Sequence, residues 1–204
     1  MKTITKKIQD SITPKDAYKL LADGNSRFVN NLQVGRDLQG QVSETSKGQF
    51  PFAVVLSCID SRVPAEIVFD QGIGDIFSVR VAGNVINEDV LGSMEYACKV
   101  AGSKILVVMG HTKCGAVNAA CNNVELGNIT SLLSKIMPAV DMVKKSASEM
   151  SEKAIEEVGI QNVRLSIARI RTESPVLAKM EDNQEIDIVG AVYDVVKGAV
   201  EFLD

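Results

Sequence analysis

The architecture of this chain follows from residues 51–62, PFAVVLSCIDSR. Residues 52–56 are apolar without alternation, which is typical of a strand in a parallel sheet that is covered on both faces. Cys58 comes directly after the strand predicted over residues 51–57. Because open parallel sheets bind ligands beyond the carboxyl ends of their strands, this cysteine stands where a functional site is expected.

Two further buried strands are predicted later in the chain, over residues 76–82 and 105–109. Residues 89–101, between them, have the pattern of an amphipathic helix. His111 is therefore expected just past the carboxyl end of the third strand, at the same edge of the sheet as Cys58. We expect these two segments to converge on one site.

The remaining segments predict an α/β fold with a mostly parallel sheet flanked by helices. Residues 129–179 have a mostly helical pattern. Residues 186–193 form another strand candidate, and residues 199–203 are able to pair with it after a turn. The α/β core is placed over residues 51–204.

Residues 1–50 are predicted to form an N-terminal helical arm followed by a wrapping loop. Thr13 and Pro14 are suited to the N-cap and first helical position of the arm. The polar stretch over residues 36–49 is long for a loop, so we expect it to be functional or to wrap around a partner.

Composition excludes several classes of protein. With 204 residues, 46% of them hydrophobic, the chain is large enough for one well-buried domain, residues 1–204. Its net charge of −4, without a basic run, argues against binding to nucleic acid or to an anionic membrane surface. No stretch approaches the roughly 18 apolar residues of a membrane span, and the polar N-terminus lacks a signal peptide, so a cytoplasmic protein is expected.

Cys58, His111 and Cys114 are candidate ligands for a metal ion. Two thiolates and one imidazole fit zinc (Zn²⁺), and three protein ligands with one open position are usual for catalytic rather than structural zinc. His111 is the only histidine in the sequence. The other two cysteines, Cys98 and Cys121, are interpreted as buried small apolar residues.

Three residues beside these ligands suggest how such a site would work. Asp60 can accept a hydrogen bond from a zinc-bound hydroxide or bind the metal itself, and Arg62 can form a bidentate pair that holds Asp60 off the metal and ionised. Gly115 directly follows Cys114 and lets backbone N–H groups approach a bound oxyanion if a helix begins there. The predicted chemistry is attack of the hydroxide on a small electrophile.

The segment CIDSR at residues 58–62, together with HTKC at residues 111–114, resembles the β-class carbonic anhydrase family. RVAGN at residues 80–84 and GAVYD at residues 190–194 also resemble family signatures, so the likeness extends over most of the chain. The resemblance implies reversible hydration of CO2 to bicarbonate and a proton. It also implies that the three candidate ligands hold zinc and that the aspartate–arginine pair is a catalytic dyad.

The resemblance further implies a substrate pocket. Gln49 stands nine residues before Cys58, where plant-like members place a glutamine that hydrogen-bonds the substrate. Phe77 and Tyr96 match positions that line an apolar CO2 pocket, and Ala82 stands where a valine is more usual, so the pocket is expected to be slightly roomier. An apolar lining suits CO2, which is uncharged and lacks a hydrogen-bond donor.

One branch of the family is regulated by bicarbonate and closes the aspartate onto zinc at low pH. That branch has a tryptophan where this chain has Val55. Arg80 and Tyr193 match the other two residues of its bicarbonate site, whereas Gln49 matches the unregulated branch. We therefore expect the open form at neutral pH, with Asp60 as a fourth ligand only in a closed form.

Assembly and proton transfer are also implied by the resemblance. Family members are dimers, often paired into tetramers, with active sites at the subunit interface. A homodimer or homotetramer is therefore expected, in which Gln49 can serve the site of the neighbouring subunit.

If His111 is committed to zinc, no other histidine can shuttle protons, so proton export must use buffer, water chains or carboxylates.

Two alternatives to a carbonic anhydrase stay open at this point. A hydrolase of carbonyl sulfide or carbon disulfide would use the same fold and metal chemistry. A catalytically dead, zinc-stabilised binding protein is the other alternative, although such a protein would have no need of Asp60 and Arg62.

Overall fold

A five-stranded sheet forms the centre of the protein, which the computed structural model describes over residues 3–203. The strands are β1 (Ala53–Ser57), β2 (Ile76–Arg80), β3 (Ile105–His111), β4 (Asp187–Tyr193) and β5 (Val200–Leu203). Their order is β2-β1-β3-β4-β5, and only β5 runs antiparallel to its neighbour. The predicted α/β class with a mostly parallel sheet is therefore confirmed.

Helices cover this sheet on both faces. They are α1 (Lys6–Ser11), α2 (Pro14–Val29), α3 (Leu38–Thr45), α4 (Ala65–Val68), α5 (Glu88–Glu95), α6 (Gly115–Cys121), α7 (Gly127–Leu133), α8 (Met137–Lys144), α9 (Glu152–Glu173) and α10 (Pro175–Asp182). A π-helical turn continues α5 over Tyr96–Val100, and a 3₁₀ turn follows β2 at Ala82–Asn84. Within the described residues, no helix combines the length and apolar character needed to cross a membrane.

The two central strands, β1 and β3, are buried along their whole length. Leu56 and Val108 belong to the apolar cluster on one face of the sheet. Val55 and Val107 belong to the cluster on the other face. Because successive side chains point to opposite faces, burial of both faces explains why β1 is apolar without alternation.

Strand β3 is longer than predicted, and this corrects the expected position of His111. His111 is the last residue of the strand, paired with Tyr193, and does not lie past its end. The strand was predicted to end at Met109, because glycine commonly interrupts strands. Here the glycine serves close packing, because a Cβ at Gly110 would lie 2.8 Å from Val163 Cγ2 of α9.

Helix α2 begins as predicted. Thr13 Oγ1 accepts a hydrogen bond from the Asp16 N–H at 3.2 Å, and the Asp16 carboxylate accepts one from the Thr13 N–H at 3.0 Å. This reciprocal pair is a capping box, and Pro14 occupies the first helical position.

The expected loop over residues 36–49 contains helix α3, so that part of the prediction was wrong. Asp37 caps the helix by accepting a hydrogen bond from the Gly40 N–H at 2.9 Å. The buried Gln41 side chain accepts another from the Ile73 N–H at 3.1 Å. Because α3 is held by a cap and a buried amide rather than by an apolar stripe, it left no periodic signal in the sequence.

A buried aspartate joins the N-terminal arm to the core. Asp70 lies in the turn after α4, where Arg27 Nε donates to its Oδ2 at 2.6 Å and Arg36 Nη1 donates to its Oδ1. The Val34 N–H also donates to this carboxylate, at 3.2 Å. Burial raises the pKa of Asp70, but the hydrogen bonds from the two arginines outweigh it and hold that pKa below its usual value.

We expect Asp70→Asn to lower the free energy of unfolding at pH 7 by about 3 kcal/mol, because it leaves two arginines without their buried partner. Asparagine tolerates the positive φ of 46° at this position, so the change isolates the charge. Since the folded-state pKa is lowered, the stabilisation is present above the unfolded pKa of about 3.9 and is lost as the pH falls through the folded value.

Urea unfolding of the wild type and the variant at pH 7 and at successively lower pH measures this effect. Asp23→Asn is the matched control, because Asp23 forms an ion pair with Lys19 in which both side chains are more than half exposed. Its expected change is below about 0.5 kcal/mol. Equal unfolding free energies for Asp70→Asn and the wild type at pH 7 would show that the arm is not anchored in this way.

Candidate metal centre

Three potential metal ligands meet at the carboxyl ends of the adjacent strands β1 and β3. Cys58, His111 and Cys114 each offer one ligand atom, and these atoms all lie within 4.8 Å of one another. All three residues are buried. The structure thus brings together the three residues that the sequence singled out.

The His111 ring is oriented for binding through Nε2. Its Nδ1 lies 2.9 Å from the Thr112 carbonyl oxygen, and because a carbonyl only accepts, Nδ1 carries the proton. Thr112 is itself fixed to the end of the sheet, since its N–H donates to the Tyr193 carbonyl at 2.9 Å and its Oγ1 accepts from the Val195 N–H at 3.1 Å. The Nε2 lone pair therefore points into the ligand cluster from a rigid support.

This Nε2 is a buried polar atom with no hydrogen-bond partner among residues 3–203. A buried polar group without a partner costs free energy, so such groups are rare unless a ligand satisfies them. A metal ion at the cluster would satisfy His111 Nε2. One imidazole nitrogen without a hydrogen-bond partner and two cysteine sulfurs form a donor set that suits zinc, so the residues present fit this ion.

The two cysteine ligands influence each other's pKa. A hydrogen bond from Cys114 holds the pKa of Cys58 far below its usual value, and the same bond, together with burial, raises the pKa of Cys114. The Gly83 N–H also donates to Cys58 Sγ at 3.3 Å. Because metals bind thiolates and the pKa of Cys114 is raised, a divalent cation would displace the Cys114 proton on binding.

Asp60 and Arg62 form a bidentate ion pair at the mouth of this cluster. Arg62 Nε donates to Asp60 Oδ1 at 2.9 Å and Arg62 Nη2 donates to Oδ2 at 2.7 Å. These hydrogen bonds hold the pKa of Asp60 well below its usual range, so the carboxylate is ionised at neutral pH. Asp60 Oδ2 lies 3.9 Å from His111 Nε2, which is close to the ligands but too far for a hydrogen bond.

Arg80 holds the backbone that carries Cys58 and Asp60. Its Nε donates to the Cys58 carbonyl at 3.0 Å, and its Nη2 donates to the Asp60 carbonyl at 2.6 Å. From the family resemblance, Arg80 was expected to match a residue of a regulatory bicarbonate site, and these contacts were not predicted.

Glu156 is a second supporting residue that was not predicted from the sequence. Its Oε1 accepts a hydrogen bond at 2.7 Å from the N–H of Lys113, which has a left-handed φ of 55° just before Cys114. Arg62 Nη2 donates to the Lys113 carbonyl at 3.4 Å. Glu156 is one of several acidic residues on α9, 43 positions away, and no local pattern distinguishes it.

A protein-family model described as carbonic anhydrase matches residues 53–200 of this chain. The crystal structure of the β-carbonic anhydrase CafA from Aspergillus fumigatus superposes with a TM-score of 0.75, at 27% sequence identity and over 81% of each chain. The chain belongs to the β-class carbonic anhydrase family.

Similar bacterial carbonic anhydrases span almost the same length. A carbonic anhydrase of Mycolicibacterium smegmatis is 37% identical over 195 residues, covering 92% of both chains. Carbonic anhydrase 2 of Mycobacterium tuberculosis is 35% identical over 201 residues, covering 94% of this chain and 93% of that one. The family assignment therefore applies to nearly the whole chain, including most of the N-terminal arm.

In this β-class carbonic anhydrase, two of the residues expected in the substrate pocket contact each other. The rings of Phe77 and Tyr96 pack edge to face with centroids 6.4 Å apart, and Tyr96 is 56% exposed. Ala82 is half-buried in the turn after β2, and Gly115 begins α6 with open space beside its Cα. Gln49 is exposed beyond the end of α3.

Proposed function

We propose that the chain catalyses the zinc-dependent, reversible hydration of CO2 to bicarbonate and a proton. One observation carries this proposal: three zinc-type ligand atoms lie within 4.8 Å of one another, next to an ionised Asp60–Arg62 pair. When bound, zinc supplies the Lewis acidity that lowers the pKa of water from about 15.7 towards about 7. A site with three protein ligands keeps one position for that chemistry.

Asp60 orients the attacking water in this proposal. Its carboxylate is ionised, and Oδ2 lies 3.9 Å from His111 Nε2, so it is near the ligand cluster without being part of it. From this position Asp60 accepts a hydrogen bond from the water and directs a lone pair of the water oxygen at the carbon of CO2. The proton that is released leaves towards solvent.

Arg62 keeps Asp60 away from the metal, and we therefore propose the open form at neutral pH. Both carboxylate oxygens are engaged by the guanidinium, which favours an Asp60 that stays on Arg62 when the metal binds. A crystal structure of the zinc-loaded protein near neutral pH should retain this pair. A bond from Asp60 to zinc in that structure would contradict the open form.

Three residues are proposed to line the CO2 pocket, namely Phe77, Tyr96 and Ala82. Gly115 is proposed to let backbone N–H groups approach the bound oxyanion. The edge-to-face rings supply an apolar surface for an uncharged substrate.

We propose that Gln49 hydrogen-bonds the substrate in the site of a neighbouring subunit within a homodimer or homotetramer. Sedimentation should give two or four times the 22.0 kDa chain mass. A fully active monomer would contradict this assembly.

The turnover number is expected to rise with buffer concentration and then level off. His111 is the only histidine and is assigned to zinc, so no imidazole is left to carry the proton to solvent. Stopped-flow hydration at fixed pH and ionic strength, with increasing concentrations of an imidazole buffer, measures this dependence. A turnover number independent of buffer would mean that the chain has its own efficient proton carrier.

Stopped-flow CO2 hydration by zinc-quantified protein, across about pH 6 to 9, tests the proposed function. A zinc-dependent rate that climbs with pH is expected. If carbonyl sulfide or carbon disulfide is hydrolysed while CO2 is not hydrated at full zinc occupancy, the proposed substrate is wrong.

A further inference from the structure

Helix α9 carries a buried asparagine on its apolar face. Asn162 is 3% exposed, next to the buried Val158 and Val163 of the same helix. A buried amide costs free energy unless it is hydrogen-bonded. Asn162 Nδ2 donates to the Gly83 carbonyl at 2.9 Å, in a buried bond that joins α9 to the turn after β2.

Gly83 connects this asparagine to a ligand of the proposed metal centre. Its carbonyl accepts from Asn162, while its N–H donates to Cys58 Sγ at 3.3 Å, and both bonds are buried. Gly83 has a left-handed φ of 66°, and a Cβ there would lie 2.7 Å from Ile136 Cδ1. The left-handed conformation and the crowding around its Cα both favour glycine at this position beside the sulfur.

We propose that Asn162 is a positioning residue of the metal centre, which sets the negative charge on the Cys58 sulfur by holding the Gly83 N–H against it. The inference rests on the proposed zinc-binding role of Cys58. A hydrogen bond to a thiolate withdraws charge from sulfur and fixes its orientation, so it changes how strongly the sulfur binds a metal. Because the Asp60 N–H also donates to Cys58, the loss of Asn162 loosens only one of two such donors, the Gly83 N–H.

Asn162→Leu removes the amide donor with little change in side-chain size. Asn162 and Ser166 both line a cavity of about 380 Å³, which leaves room for the leucine methyl groups. Ser166→Ala is the matched control, since Ser166 lies one turn further along the same buried face of α9 and has no hydrogen bond to the Gly83 turn.

The test loads the full-length proteins with Co²⁺ in place of zinc and records the sulfur-to-cobalt charge-transfer band. The band of Asn162→Leu should move to lower energy, because the sulfur electrons are held less tightly. Because the Cys58 sulfur also loses its fixed orientation, zinc should pass from this variant to a chelator about tenfold faster than from the wild type. Ser166→Ala should match the wild type in both measurements.

An unchanged charge-transfer band in a folded, cobalt-loaded Asn162→Leu protein overturns the inference, whatever the rate of zinc release. That result would leave the proposed function standing, since cobalt would still be bound. If the wild type itself binds neither cobalt nor zinc, the proposed function is contradicted, and the inference that rests on it is contradicted as well.

If Asn162→Leu does not fold, the wild-type protein loaded with ¹¹³Cd tests the hydrogen bond from Gly83 to Cys58, on which the inference depends. The hydrogen bond from Gly83 to Cys58 should transmit a scalar coupling from cadmium to the Gly83 amide proton, which is resolved by ¹⁵N labelling of the 15 glycines. In full-length protein with one cadmium bound, the absence of this coupling would refute the inference.

Discussion

We expect Cys114→Ala to abolish stoichiometric zinc binding and to lower the CO2 hydration rate by at least about a thousandfold, because water without the metal keeps a pKa of about 15.7. The substitution removes one of three ligand atoms that lie within 4.8 Å of one another. The remaining thiol and imidazole hold zinc too weakly to survive gel filtration. Metal analysis of the filtered protein and stopped-flow hydration on the same sample measure both effects.

Cys121→Ala is the matched control for this experiment. Cys121 ends α6, the helix that Cys114 directly precedes, and is 7% exposed within the same apolar cluster as Cys114, but it is not part of the ligand group. This variant should keep one zinc per chain and the wild-type rate. If Cys114→Ala retains one zinc per chain, the assignment of the metal ligands is wrong.

The Cys114→Ala variant should also remain folded. The two large apolar clusters on the faces of the sheet contain neither Cys58 nor Cys114, which belong to a third cluster beside the sheet. The metal centre is therefore held by a core that does not depend on it. Circular dichroism of the metal-free variant tests this, and an unfolded chain would instead indicate a structural zinc.

We expect Asp60→Asn to lower kcat/KM for CO2 by about 10²- to 10³-fold while zinc stays bound. Asparagine has the same shape, but its amide nitrogen cannot accept the hydrogen bond that Arg62 Nη2 donates to Asp60 Oδ2 at 2.7 Å. The variant loses both the negative charge that orients the water and the bidentate pair that fixes the side chain. Stopped-flow kinetics and metal analysis of the same sample separate the loss of rate from a loss of metal.

Asp10→Asn serves as the control for Asp60→Asn. Asp10 forms an ion pair with Lys6 in which both side chains are more than half exposed, so neutralising it should leave kcat/KM unchanged. A wild-type rate in Asp60→Asn would mean that the water is oriented by another group, and Asp60 would then be only a structural partner of Arg62.

The proposed ligands could be predicted from sequence because they lie at the carboxyl ends of two strands. Cys58 follows a run of residues buried on both faces, and this pattern marks β1 independently of its surroundings. Cys114 follows β3 by a short turn, so its place was predictable as well. The same reasoning ended β3 too early, because glycine commonly interrupts strands. In the structure Gly110 lies inside β3, where the absence of a side chain leaves room for Val163.

The groups that support the ligands could not be predicted in this way. Glu156 and Asn162 act from α9, and their contacts with Lys113 and Gly83 depend on how this helix docks on the sheet. The way α9 packs on the sheet determines which of its residues face the ligands, and the periodicity of the sequence does not predict this packing. Helix α3 was missed for a related reason, because a cap and a buried amide stabilise it.

The central claim is that zinc bound at Cys58, His111 and Cys114 makes this chain hydrate CO2. It is tested most directly by adding Zn²⁺ in steps to metal-free protein and measuring CO2 hydration by stopped flow at each step. We predict a rate that rises in proportion to added zinc and stops rising at one zinc per chain. A chain that takes up one zinc and hydrates CO2 no faster than buffer alone would contradict the claim.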